Sequence, residues 1–154
     1  MNISSMNQLK KQRGFTLVEL VIVLVVIAGL TIVLLPKIQQ VMGLGDAAKL
    51  KAQVSEIQSG ALLYKQREMV FTGIDMETLD DQGFISDRMG DGVAINPWGG
   101  DYSVESNSSN ATQYIITVDG ILSEDIGSQA EADYATSAVT TDFDGSTLTL
   151  TFQG

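Results

Sequence analysis

A chain of 154 residues with no cysteine, no histidine, and 19 acidic against nine basic side chains is poorly supplied for catalysis and for nucleic acid alike. The usual thiol nucleophile and imidazole base are missing, no nucleophile elbow or Gly-rich phosphate loop is present, and no enzymatic activity is expected. A formal net charge of −10 repels phosphate and argues against intrinsic nucleic-acid binding.

The chain opens with a basic stretch, Lys10, Lys11 and Arg13, that ends at Gly14. From Phe15 to Leu35 there follow 21 residues with a single charge, Glu19. As a helix they reach about 31 Å, the thickness of a bilayer core. A secretory signal places its small-residue cleavage site after an apolar run of about 7–15 residues. Here the run is longer, Pro36 and Lys37 follow it, and the only nearby candidate is the weak Gly43-Leu-Gly45. The small residue instead precedes the run, so cleavage after Gly14 would leave the span in the mature chain. The leader's charges place the N-terminus in the cytoplasm and the remainder across the membrane. Nine of the 16 residues 20–35 are β-branched, a strand-like composition in water. In lipid every backbone group needs an internal partner, so a helix is expected. Ala28-Gly29 is either a point of close helix approach or simply tolerated.

A carboxylate in an apolar helix costs roughly 2.5–3.5 kcal/mol near the midplane, and such residues are usually functional. Glu19 lies closer to the interface, in the first turns, where the macrodipole favours an anion. Two readings stand. One is a tolerated interfacial glutamate. The other is a partner for the α-amino group that cleavage would create, whose reference pKa of about 7.7–8.0 makes it largely cationic at neutral pH. In a stack of identical helices one subunit's amine would meet the next subunit's Glu19. Such a pair sets axial register more than raw stability, because buried ion pairs often break even against apolar packing.

The 11 positions Lys-Lys-Gln-Arg-Gly-Phe-Thr-Leu-Val-Glu-Leu, from Lys10 to Leu20, resemble the class III signal of type IV pilins and of the pseudopilins of type II secretion. The resemblance implies that prepilin peptidase cuts between Gly14 and Phe15 and methylates the new amine of Phe15. It also supports the salt-bridge role for Glu19. Translation from Met1 gives a leader of 14 residues and from Met6 one of nine, so leader length assigns no subclass.

Pro36 lacks the N–H that would bond the carbonyl of Ile32, and its ring crowds that turn, so a kink or break is expected there. Gly43 and Gly45 each cost roughly 1 kcal/mol against Ala in a helix interior. Residues 36–45 are therefore the weakest part of a long N-terminal helix and the candidate segment for kinking or for melting on assembly. Asp46 is placed to cap a restart. Ala47, Leu50, Val54, Ile57, Ala61 and Tyr64 then alternate spacings of three and four, an apolar stripe for packing on a sheet.

Residues 72–101 read as a connection with turn chemistry. A short helix is expected from Met76 to Leu79, closed at Gly83, and Asn96-Pro-Trp-Gly-Gly100 is a turn cluster. Trp98 within it is read as a plug at the edge of a small core, with a ligand platform as the alternative. The order Leu79, Gly83-Phe-Ile85, Asn96-Pro-Trp-Gly99, Tyr102 also resembles the loop between helix and first strand in pilins and pseudopilins. Three strands are predicted, 102–105, 113–118 and 147–152, the first two joined across the Ser/Asn-rich loop 106–110. Leu148, Leu150 and Phe152 alternate on the last of them and would cover the helix stripe. Residues 123–144, acidic and alanine-rich, are expected to form a variable surface loop with some local structure.

Many type IV pilins close a C-terminal loop with a disulfide, which this cysteine-free chain cannot do. A head of roughly 80 residues is marginal on core burial alone, so the last strand's pairing, subunit contacts or a metal must hold the C-terminal region. No cofactor is expected. Calcium is the alternative, because some pseudopilins bind it in this region. Asp119, Glu124, Asp125, Asp142 and Asp144 supply hard oxygen ligands, at spacings that match no calcium loop. All 19 acidic residues lie beyond Gly14 and three basic ones leave with the leader, giving a mature formal charge of −13.

The expected fold is α+β and pilin-like: a cleaved leader 1–14, a transmembrane or filament-core helix 15–35, a kinked amphipathic half 36–70, and a globular head 71–154 built on an antiparallel sheet. The expected function is that of a type IV pilus subunit, held in membrane lipid as an inner-membrane prepilin and processed by prepilin peptidase. An inner-membrane assembly platform would then pack it with identical subunits into an extracellular filament used in adhesion or motility. Two alternatives stand beside it. A type II secretion pseudopilin shares every N-terminal residue named, and a single-span anchored binding domain that never polymerises predicts that Glu19→Ala changes nothing.

Overall fold

A computed structural model describes residues 15–154, with backbone alone for residues 33 and 35–42. The element order is α1 (Leu17–Glu68), α2 (Met76–Asp81), β1 (Tyr102–Ser106), β2 (Gln113–Val118), α3 (Glu124–Tyr134), β3 (Thr140–Asp144) and β4 (Thr147–Gln153). Two compact units divide the chain, one ending at Gln40 and the other running from Val41 to Gly154.

Helix α1 corrects one expectation directly. Its helical assignment passes through Pro36, Gly43, Gly45 and Asp46 without a break, so Asp46 is an interior residue and caps no restart. Proline forfeits one rung and strains the turn before it. The bonded turns on either side carry the helix across that gap. Among the described residues, nothing outside the helix's own backbone lies within 4 Å of the position a Cβ would take at Gly43 or Gly45. The described neighbours leave room for a side chain at both, and each glycine adds backbone entropy to the helix.

In the second unit the predicted stripe is buried: Leu50, Val54, Ile57, Ala61 and Tyr64 lie in the core, and Ala47 at its edge is half-buried. They share one core with Tyr102 and Val104 of β1, Tyr114, Ile116 and Val118 of β2, and Leu148, Leu150 and Phe152 of β4. This is the period-two burial of a sheet with one covered face. Gln53 is the polar residue within the stripe. It is buried and satisfied, donating to Ile95 O at 2.8 Å and accepting from the Tyr102 hydroxyl at 3.1 Å.

The sheet has four antiparallel strands in the order β1-β2-β4-β3. Strands β1, β2 and β4 are the three expected from the sequence. The fourth comes from the segment expected as a surface loop, which instead forms α3 and β3. The buried side of α3 is Gly127, Ala130 and Tyr134. Gly127 is required there, because a Cβ would lie 2.0 Å from the Phe143 ring of β3. The C-terminal region is held by pairing: β4 is an inner strand bonded to both β2 and β3. Beyond it Gly154 N donates to Thr112 O at 3.0 Å and Lys65 Nζ donates to Gly154 O.

Helix α2 starts at Asp75, whose carboxylate accepts from Thr78 N at 2.7 Å, and the chain turns away at Gly83 with φ +67°. In the following turn cluster Asn96 is buried. Its Oδ1 accepts from Trp98 N at 3.0 Å and Gly100 N at 2.8 Å, and its Nδ2 donates to Asp119 O. The turn seats Trp98 against the edge of the core, the position expected of a plug. Among the described residues no three acidic side chains are gathered into one cluster. Asp119 Oδ1 is instead engaged by Gly120 N and Thr147 Oγ1, each at 2.8 Å.

Candidate processing and assembly site

The first unit holds the residues singled out for processing and assembly. Gly14, with Lys10, Lys11 and Arg13, lies outside the described residues. Phe15 is 84% exposed and stands one residue before the helix cap. Helix α1 begins at Leu17, which makes Thr16 the N-cap and Glu19 the third helical residue.

The two side chains form a reciprocal cap. Glu19 N donates to Thr16 Oγ1 at 3.2 Å, while Glu19 Oε2 accepts from Thr16 N at 3.3 Å and from Thr16 Oγ1 at 3.2 Å. This is a capping box, which satisfies N–H groups that the first helical turn leaves without partners. It gives Glu19 a role inside its own subunit that macrodipole reasoning alone misses. The signal was present in the sequence as Thr16-Leu-Val-Glu19, the Thr-x-x-Glu pattern. Only Oε2 is used, and among the described residues nothing donates to Oε1. The carboxylate therefore keeps half its acceptor capacity while capping.

Beyond the cap the apolar side chains are uncovered in every direction around the helix. Leu17, Val18, Leu20 to Ile27, Leu30, Ile32 and Leu34 are all exposed. No single stripe faces inward, as it would on a soluble amphipathic helix. Thr31 is the polar exception, and its hydroxyl donates to Ile27 O at 2.8 Å, leaving no unsatisfied donor on an apolar surface. Side chains are described without interruption only as far as Ile32, and among the described residues no helix is long and apolar enough to cross a membrane. The span from Phe15 to Leu35 thus rests on the sequence.

The remaining sequence-derived residues lie apart from this site. Pro36 has a helical backbone, and its side chain lies outside the described residues; Gly43 and Gly45 are helical. The structure brings Thr16 and Glu19 together and leaves the glycines as points along the helix.

Residues 9–35 match the family described as Prokaryotic N-terminal methylation motif. That segment is the class III prepilin signal, and it supports a pilin- or pseudopilin-like substrate of prepilin peptidase. No curated protein matches the chain.

Proposed function

We propose that this chain is a structural subunit, a pilin, of a type IV pilus. Prepilin peptidase cuts between Gly14 and Phe15 and methylates Phe15. The mature chain waits in the inner membrane with Phe15 to Leu35 in lipid, and an assembly platform packs it with identical copies into an extracellular filament. It has no catalytic role and carries no cofactor. One observation carries the reading: the methylation motif at residues 9–35 coincides with a helix whose apolar side chains are exposed all around its axis.

The chemistry follows from that coincidence. Lipid covers the apolar surface before assembly, and neighbouring copies of the same helix cover it afterwards. The exchange is close to neutral in hydrophobic terms, so packing and polar contacts decide register. Cleavage puts a cationic amine at Phe15, at the positive end of the helix dipole, where it is destabilised. A neighbour's Glu19, capped through Oε2, offers Oε1 to that amine. The stiff β-branched side chains give the core a rigid surface.

The test is electron microscopy and immunoblotting of sheared surface material from cells expressing the wild-type chain or Glu19→Ala. Long filaments that contain the chain and are lost with Glu19→Ala are expected. Mature chain confined to the cell envelope in wild-type cells would favour the pseudopilin. Filaments unaffected by Glu19→Ala would refute the register role.

A further inference from the structure

The loop joining β1 to β2 carries two consecutive Asn-x-Ser/Thr triplets, Asn107-Ser-Ser109 and Asn110-Ala-Thr112. This triplet is the acceptor pattern for N-linked sugar on exported proteins. A short polar loop often contains one by chance, so the side-chain geometry has to separate an acceptor from a turn residue.

The two asparagines differ in that geometry. Asn107 is half-buried, its Nδ2 donates to Gln113 Oε1 at 2.9 Å, and the hydroxyl two residues on, that of Ser109, makes no bond to it. Asn110, Ala111 and Thr112 are all exposed. Thr112 donates twice to Asn110 Oδ1, from Oγ1 at 2.7 Å and from its backbone N at 3.1 Å. Thr112 is itself held at the end of β4, because Gln153 Nε2 donates to its Oγ1 at 2.9 Å and to its carbonyl at 3.2 Å. The Asn110 carbonyl and the hydroxyl that a transferase reads are therefore locked together. Among the described residues Asn110 Nδ2 donates to no acceptor. It is an amide nitrogen with no hydrogen bond to give up.

We propose that Asn110 is an N-glycosylation site, taking an oligosaccharide from a polyprenyl-diphosphate-linked donor on the outer side of the membrane. In the transfer, Asn110 Nδ2 bonds to the anomeric carbon of the sugar. The bond from that carbon to the diphosphate oxygen breaks, and the lipid diphosphate leaves with the electron pair. The Nδ2 proton passes to a base of the transferase. The site rests on the proposed export of the head, since donor and transferase act there. A sugar at this hairpin tip adds polar bulk without touching the buried sheet face, because the flanking Gln113 and Ser106 are at its margin and Tyr114 and Val104 point into the core.

The test is peptide mapping of the chain purified from the envelope and sheared surface fractions of its native host. No Lys or Arg follows Arg88, so cleavage after Glu is used, which releases residues 106–124 with both asparagines. A mass increase by whole sugar residues, localised to Asn110, is expected. It should disappear in Asn110→Gln and Thr112→Val and persist in Thr112→Ser and Asn107→Gln. An unmodified peptide, or sugar on Asn107 or on the loop serines, overturns the assignment. Protease accessibility of the head in spheroplasts of the same cells separates the two failures. An unmodified Asn110 on a head that added protease digests refutes the glycan site alone, whereas an unmodified head protected from protease refutes the export reading with it.

Discussion

The same substitution should have opposite signs at three glycines of α1. At Gly43 and Gly45 no described atom outside the helix's own backbone lies within 4 Å of a new Cβ, so Gly→Ala adds helix propensity, about 1 kcal/mol at each site. At Gly60 a Cβ would sit 2.8 Å from Ile85 Cγ2 and 3.1 Å from the Phe84 carbonyl, a buried contact that cannot open freely. Overpacking of that kind costs about 1–3 kcal/mol, which outweighs the propensity gain by about 1 kcal/mol. Amide hydrogen exchange on the mature chain in detergent reads the first pair. Each of Gly43→Ala and Gly45→Ala should slow local opening of residues 36–45 by roughly fivefold. Thermal unfolding reads the third, with Tm for Gly60→Ala lowered by about 4–8 °C. A Gly60→Ala variant that melts higher than wild type would refute the packing of α1 on Phe84 and Ile85. Unchanged exchange in the double variant would refute the view that 36–45 is the soft segment because of its glycines.

Other expectations are as direct. Glu19→Gln, which keeps an acceptor for Thr16 but loses the charge, should sharply lower the yield of sheared filaments. Thr16→Val should cost about 1 kcal/mol of capping and leave filaments largely intact; equal losses from the two would mean that the cap, not the charge, drives assembly. Leu150, fully buried at the centre of the sheet, should cost about 2–5 kcal/mol as Leu150→Ala, measured by urea unfolding. Burial pushes the Tyr114 and Tyr134 phenols up to about 12, with Asp133 adding to the shift at Tyr134, and raises Tyr102 as well. An unfolded phenol loses its proton near pH 10, so between about pH 10 and 12 the native state holds more protons and stability falls as pH rises. Titration at 295 nm should show these tyrosines ionising together with unfolding, and gradual ionisation near pH 10 in a folded chain would contradict their burial.

What was legible in the sequence is what periodicity carries. The stripe from Leu50 to Tyr64 and the alternation of Leu148, Leu150 and Phe152 each named a buried face, and the structure joins them in one core. Helix α3 and strand β3 were not legible, because their contact is made by residues without an apolar signature. Gly127 is small so that the Phe143 ring can lie against it, and Thr140–Asp144 has that single aromatic to mark it. The helical assignment runs through Pro36 because a helix of this length can bridge one missing rung. At the assembly site the apolar run and Glu19 were plain from composition. The partnership with Thr16 is written in the three-residue Thr-x-x-Glu spacing, a signal that neither the dipole nor a neighbour's amine reveals.

The central claim is that the leader is removed at Gly14 and the apolar helix retained. Intact mass and N-terminal sequencing of the chain from sheared surface filaments test it most directly. The expected result is a chain that begins at Phe15 and carries one methyl group on its α-amine. A functional, surface-assembled chain with its leader uncut, or one that begins beyond Leu35, would contradict it.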